Sequence, residues 1–490
     1  MVKPGAAPRP GLMRNVLHLL FGQAATTALT ILLNATLARA LGSSDFGRLF
    51  LVMSIATFVY VVVDWGHGQF IIRETARHPD KAGNLLGTVL VLRSSTVFVA
   101  CVPAVAATWL LGYDEPTQLL TVALIVAWLP QYNGLSFGWV FRGLEMMHRD
   151  ALLNVVLKLA TLILSVVCLA LGGRLVALTV AWALAGCITL AMGMATYRKL
   201  GLPKLGASMA TSRMLLRGGA PMFTMMLAVA VEPLFNANIL YKMSSPAVVA
   251  WYGAAWTIGG TLMAPATVVG ATMYPRLSTV ASDPEEFRRV FEVSFRPLLL
   301  LGVLGAVGTY LFADVPVGLI YSLKSFGPAA DTLRMFAPVL LLLYVDILLG
   351  AAIFALGRAG RIAGPKLASI VVTAAVAFAF VPWCQARFGN GGLGVMYAMM
   401  LGECLMLVAH VAVARNAVDR RGLLNQMLRS LAAGGATIAL FRLLPAFTPV
   451  LAIPLCVLVF AVMAVLAGAV KRSDLEMLLG YFPRRRVPQG

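Results

Sequence analysis

Apolar runs of membrane-crossing length, separated by short polar turns, recur along the whole chain. A bilayer core takes about 20 apolar residues per helix. On that ruler the pattern predicts about fourteen spans. The first six are Met13–Leu41, Phe46–Ile72, Leu85–Gly112, Thr117–Phe141, Leu152–Gly172 and Leu175–Tyr197. The next six are Met214–Tyr241, Val248–Tyr274, Val290–Ala313, Thr332–Leu356, Pro365–Ala386 and Leu393–Ala414, and Leu428–Pro445 and Val450–Val470 complete the set. The organising stretch is Leu33–Arg77: the end of one span, the turn Gly42-Ser43-Ser44-Asp45, a second span and a basic exit. Gly47 is expected to bring the second span close to the first, and Gly66 and Gly68 to loosen the helix just after Asp64. A weaker echo of this layout runs from Met214 to Ser278, with a Ser-Ser-Pro turn between its two spans.

The expected fold is therefore an all-α polytopic membrane protein. Residues 1–12 and 471–490 are tails, 13–197 and 214–415 two six-helix pseudo-repeat bundles joined by a linker at 198–213, and 416–470 two extra helices. Repeated bundles around a site at mid-membrane are a transporter architecture.

Composition agrees with the pattern. Of 490 residues, 60% are hydrophobic and 12% charged, with mean hydropathy +0.86, whereas soluble domains carry about 25% charged residues. The net charge of +19 raises the question of nucleic acid, but the placement of the charges answers it. Lys3, Arg9 and Arg14, Arg73, Arg77 and Lys81, Arg142 and Arg149, and Arg198 to Arg217 mark one set of alternating loops. Arg276, Arg288, Arg289, Arg358, Arg361 and Arg415 to Arg429 continue that set. The opposite loops hold only Arg48, Arg174, Lys242, Lys324, Arg334 and Arg387. Such a bias places both termini in the cytoplasm. The first apolar run is too long for a signal-peptide core and is expected to be retained. Six cysteines inside apolar runs read as packing residues, neither disulfides nor metal ligands.

Ionisable residues at membrane depth are the candidate chemistry. Arg39 and Lys158 are cations suited to a phosphate, with headgroup snorkelling the plainer role for Arg39 and Lys242. Arg93 and Arg296 read as anchors in the inner leaflet. Glu232 precedes Pro233 in the seventh span with Asn236 one turn on, and the prolines at 221 and 233 are expected to free backbone carbonyls. Glu232, Asp64, Asp346 and Glu403 are candidates for coupling to a proton or sodium ion, or each is half of an intramembrane ion pair. Gln131, Tyr132 and Asn133, after Pro130, are expected to line a wet cavity. Trp128, Trp251 and other aromatics could stack on sugars or form headgroup belts. His18, His67 and His410 form no cluster, so no metal or cofactor is expected, and the chain is read as lacking GxSxG, a P-loop and HExxH.

In its first hairpin, Asn15, Arg39-Ala40-Leu41-Gly42 and Phe46-Gly47 resemble the "N…aRxLG…fG" pattern of the polysaccharide-transporter (O-antigen flippase) family. That family lies within the multidrug/oligosaccharidyl-lipid/polysaccharide exporter superfamily. Asp64-Trp65-Gly66 with Arg73 resembles its "D.G…R". Ala250 to Ala255 resembles its "GxYxxA", and Pro275 with Ser278 its "PxxS". Arg334 to Pro338, Gly357 and Gly391 to Gly394 extend the likeness, which covers about residues 12–415. This chain has Asn236 where such proteins often carry Asp, and the carboxylate stands one turn earlier at Glu232. The resemblance implies two bundles around a central cavity that flips undecaprenyl-pyrophosphate-linked oligosaccharide by alternating access, for O-antigen, capsule or exopolysaccharide. It also implies a bacterial inner-membrane location and a polysaccharide polymerase as partner. The alternatives are a multidrug or cation antiporter of the same fold, and a membrane glycan polymerase or ligase. The latter reactions need sizeable outer loops, which the pattern does not provide.

Overall fold

The first helix, α1 (Leu12–Asp64), is two spans fused end to end. The join is Gly42, whose φ of 73° and ψ of 177° depart from the helix in a region that glycine enters at little cost. This computed structural model describes residues 12–415, 417–444 and 448–470, and the side chains among them other than those of 12–20, 221, 224, 225, 228, 229 and 275. Expectations resting on the side chains of Asn15, His18, Pro221 and Pro275, and on the two tails, fall outside it. The described chain is an all-α, multi-pass membrane protein.

After α1 come α2 (His67–Arg77), α3 (Ala82–Leu110), α4 (Glu115–Gly143), α5 (Met147–Ala170), α6 (Leu175–Lys199) and α7 (Met209–Met243). They continue with α8 (Pro246–Leu262), α9 (Ala264–Thr279), α10 (Pro284–Phe312), the short α11 (Asp314–Ile320) and α12 (Leu323–Ala355). The last are α13 (Gly360–Phe388), α14 (Gly392–Val413), α15 (Arg420–Leu443) and α16 (Pro449–Leu466). Ten described helices are long and apolar enough to cross a membrane, and α8 with α9, bent by 41°, would be an eleventh if the pair is one span and not a re-entrant loop. Splitting α1 at Gly42 and adding α7 and α15 gives the fourteen segments that the apolar pattern marks.

Two compact units divide the chain, Met1–Ala250 and Trp251–Gly490. In the first, α4 is central and packs on α1, α2, α3, α5 and α6. Phe70, Leu85, Leu86, Phe137, Phe141 and Leu153 form its core at one end. The segment between α6 and α7 is bonded to its neighbours: Gly206 N donates to Gly83 O at 3.3 Å, and Tyr197 donates to Pro203 O at 2.7 Å. Gly47 serves a different neighbour from the one expected. A Cβ there would stand 1.7 Å from the Pro246 carbonyl oxygen, so the residue admits the start of α8 rather than the first half of α1.

In the second unit α12 is central, touching α9, α10, α11 and α14, while α13 pairs with α14. Tyr344 of α12 donates to Leu262 O at 2.6 Å, which ties the end of α8 to it. Helices α15 and α16 pack on each other and on α10.

Candidate functional site

Immediately after Asp64 the chain leaves helical geometry, with φ of 46° at Trp65 and 73° at Gly66. A tryptophan rarely occupies that region, and here its ring is held on two sides. Nε1 donates to Leu216 O at 2.9 Å, and the indole stacks on Phe223 with centroids 4.0 Å apart. The backbones of the break and of α7 come so close that a Cβ on Gly66 would lie 2.4 Å from Gly219 O. The loosening expected from Gly66 is thus a fixed break seated on α7.

Above the break lies a buried ion pair. Arg93 of α3 is fully buried, and its Nε donates to Asp64 Oδ1 at 2.7 Å. Its Nη2 stands 2.6 Å from the same oxygen. Nη1 donates to three oxygens of α4: Tyr132 O at 2.7 Å, Asn133 Oδ1 at 3.2 Å and Ser136 Oγ at 2.6 Å. The guanidinium carbon also sits 5.1 Å from the Trp139 ring centroid. A charge inside a span survives by such pairing. Arg93 is therefore no leaflet anchor, and Asp64 is half of an intramembrane pair.

The residues after Pro130 are shared out among neighbouring helices. Asn133 is buried, with its amide nitrogen on Ser94 Oγ at 3.2 Å. Tyr132 stacks on Tyr60 at 4.0 Å and 9°, and Gln131 is half-buried. Helix α4 runs unbroken through Pro130. Trp128, 7% exposed, packs near both tyrosines and Trp182, so it belongs to the interior of the unit and not to a headgroup belt. Gly134-Leu135-Ser136-Phe137-Gly138 has GxSxG spacing, so the reading that this motif is absent is corrected. It lies inside a helix, not at a strand-to-helix elbow, and its serine is spent on Arg93. A Cβ at Gly134 would lie 2.7 Å from Leu190 N, and one at Gly138 2.2 Å from Asp150 Oδ1. This is a helix-packing motif.

Lys158 is half-buried on α5, a helix that packs on α1, α4 and α6. Its ammonium makes no ion pair or hydrogen bond with any described residue. Arg39 is exposed on α1. On α7, Glu232 is half-buried and Asn236 is 1% exposed, and the helix continues through Pro233 without the expected rupture. The far end of α7 is latched to the α3–α4 loop. Tyr113 donates to Asn238 Oδ1, Tyr241 donates to Asp114 at 3.3 Å, and Lys242 donates to Gly112 O at 3.2 Å beneath the Tyr113 ring. Burial, and then the neighbouring Tyr241, raises the pKa of the Tyr113 phenol, which keeps its proton available for the bond.

The second unit holds two further pairs. His410 Nδ1 of α14 stands 2.5 Å from Asp346 Oδ1 of α12. Lys366 Nζ of α13 stands 3.8 Å from Glu403 Oε1 of α14. Asp346 and Glu403 are thus both intramembrane partners, and His410, which the sequence reading left without a role, is one as well. Arg296 pairs with Glu292 on its own helix at 3.2 Å. Arg93, Ser136 and His410 are the residues that the sequence reading missed. The signal that finds them is the rule that a carboxylate inside a span needs a cation or imidazole at the same depth.

The family model described as "Polysaccharide biosynthesis protein" matches residues 12–281. No curated protein matches the sequence. Among solved structures, the lipid II flippase MurJ in an inward closed conformation aligns with TM-score 0.71 at 12% identity, over 94% of this chain and 99% of that one. An inward-facing multidrug resistance MATE family transporter of the MOP superfamily aligns with TM-score 0.66 at 15% identity, over 81% of this chain and 98% of that one. The MATE multidrug transporter DinF-BH aligns with TM-score 0.59 at 14% identity, over 85% of this chain and 98% of that one.

Proposed function

The chain belongs to the polysaccharide biosynthesis protein family, and from that premise we propose that it moves undecaprenyl-pyrophosphate-linked oligosaccharide across the bacterial inner membrane by alternating access. The product would feed O-antigen, capsule or exopolysaccharide assembly, with a polysaccharide polymerase as downstream partner and both termini in the cytoplasm. Hydrocarbon refuses the headgroup of such a lipid, since an isolated charge costs roughly tens of kcal/mol there and each unbonded hydroxyl several more. A protein that offers polar groups and a cation at membrane depth removes that barrier while the tail stays in lipid. Flipping transfers no group, so no catalytic residue is needed.

The observation that carries this reading, beside the family and the fold, is Lys158: an ammonium at membrane depth whose charge no described side chain neutralises. Arg93 cannot play that part, because Asp64 and three oxygens of α4 consume its donors. We assign the pyrophosphate to Lys158, acting as a point charge, with Arg39 as a second contact. Gln131, Tyr132, Asn133 and Asn236 remain candidates for the sugars, and Glu232 is the coupling carboxylate in the first unit. The likeness to MATE transporters supports a second reading, a multidrug antiporter, which would favour carboxylates over an unpaired cation as the ligand.

In a strain lacking the gene, lipid-linked repeat units should collect in the cytoplasmic leaflet and surface polysaccharide should disappear. Lys158→Ala should restore export at least tenfold less well than wild type at equal protein level, with Lys158→Arg in between. Full export by Lys158→Ala removes the phosphate assignment. Repeat units that reach the outer leaflet without the gene remove the flippase.

A further inference from the structure

Helix α10 enters the bilayer with a charged face turned away from its own unit. The residues from Val293 to Phe312 carry one charge, Arg296, and make up the roughly 20 residues of a single crossing. The turns before them carry Glu285, Glu286, Arg288, Arg289 and Glu292, which places those turns at headgroup level. Phe287, Phe291, Ser294, Phe295 and Leu298 are buried in the unit. Glu285, Arg288, Arg289, Glu292, Val293 and Arg296 recur every three or four residues along the other side and line a groove of about 240 Å³. Val293, 45% exposed, carries that groove onto apolar surface where acyl chains begin.

Most of the charge on this end of α10 is spent along the helix. Arg296 Nη2 meets Glu292 Oε2 at 3.2 Å, and Arg289 Nη1 meets Glu286 Oε2 at 3.5 Å. Asp283 closes the helix end, accepting from the amide nitrogens of Glu285 and Glu286 at 3.0 and 3.1 Å. The side chains of Arg288 and Glu285 make no ion pair or hydrogen bond with any described residue. An open guanidinium and an open carboxylate therefore stand one turn apart in the groove, the guanidinium nearer the hydrocarbon.

We propose that this groove binds the headgroup of an aminophospholipid, a phosphodiester that ends in a primary ammonium. Arg288 takes the phosphodiester oxygens with its fork of donors. Glu285 takes the ammonium, whose N–H groups a carboxylate accepts. The order along α10 is the order within the lipid, with phosphate next to the acyl chains and the amine beyond it. An anionic lipid without an amine would set its charge beside Glu285 and Glu292. A choline headgroup would bring methyl groups where Glu285 needs a donor. The site rests on α10 crossing the bilayer and not on what the chain transports.

Native mass spectrometry tests this on the full chain, purified in detergent and titrated with phosphatidylethanolamine, phosphatidylcholine or phosphatidylglycerol. Wild type should bind the ethanolamine lipid at least about fivefold more tightly than the other two. Arg288→Gln should weaken that binding by a similar factor. Glu285→Gln should erase the preference for ethanolamine over choline while the phosphodiester is still bound. Both positions are exposed, so both variants should melt as wild type does in lipid-free detergent, which separates a lost site from a lost fold. Equal binding of the ethanolamine and choline lipids by wild type, or a preference that survives Glu285→Gln, overturns the assignment. Tightest binding of the glycerol lipid makes the groove a site for anionic lipid and overturns it as well. Glycerophosphoethanolamine, which has the headgroup but no acyl chains, should not compete. Competition at the concentration of the lipid would mean that a free phosphodiester, and not a lipid, is the ligand.

Discussion

Arg93 shows what lets a charge persist at membrane depth: each of its three nitrogens has an oxygen within 3.2 Å. Arg93→Ala would strand the Asp64 carboxylate and three acceptors on α4. The loss should be about 3–5 kcal/mol, as for other broken buried pairs. It would be read as a lower melting temperature of a fluorescent fusion in detergent by size-exclusion chromatography. Arg93→Lys should rescue little, because one ammonium cannot reach both Asp64 and the oxygens of α4. Replacing both charges, as Arg93→Met with Asp64→Leu, should recover most of the stability, since no orphan charge remains. A single Arg93→Ala as stable as wild type would mean that the pair is not closed in the membrane. The sequence made Asp64 legible as a costly carboxylate but not its partner. Arg93 is 29 residues away on another helix, and which helix faces which is a matter of packing that no local period encodes. The same blindness hid His410 behind Asp346, and it left Asn133 as a cavity-lining candidate and Ser136 unremarked when both accept from a guanidinium.

Among the elements, α7 is held at both ends, by the Trp65–Gly66 break at one and by the Tyr113 latch at the other. Between these anchors lie Glu232 and Pro233. Tyr113→Phe removes the bond to Asn238 and keeps the ring beneath Lys242, a loss of about 1 kcal/mol. In a cysteine-free background Leu240→Cys, at a fully buried site on α7, should then react with maleimide about fivefold faster, since about 1 kcal/mol shifts a two-state equilibrium by that factor. An unchanged rate would show that the latch does not hold α7. Elements were the most legible level of this chain. The apolar ruler finds each of the ten described helices that are long and apolar enough to cross a membrane, and Gly42 and Gly66 announce the turn and the break before any coordinates. It misjudges how backbones meet: Gly47 admits Pro246, and Pro233 leaves α7 whole. Proline removes one donor without revealing whether neighbours hold the helix straight, and a glycine says that something comes close without saying what.

For the whole molecule the open quantity is the parity of its crossings, and the broken spans decide it. Counting α8 with α9 as one crossing gives an even total, which returns the end of the chain to the side where it began. Arg288, Arg289, Arg358, Arg361, Arg420 and Arg421 then share that side with Arg73, Arg77, Arg142 and Arg149, as the positive-inside rule demands. If α8–α9 instead dipped in and turned back, every later loop would change sides. Those arginines would face outward, and the sparse loop around Gly389–Gly391 would face the cytoplasm. Charge alone argues for a complete crossing, since only then do the Arg-bearing loops after α9 and the sparse loop at Gly389–Gly391 both fall on the sides that the positive-inside rule assigns them. Fusions within the full chain test this directly. Alkaline phosphatase inserted after Gly391 should be active and green fluorescent protein there dark. Insertion after Asp283, and fusion at the C-terminus, should give the opposite result. An active phosphatase after Asp283 would mean that α8–α9 is re-entrant, and the second unit would then run inverted relative to the charge rule.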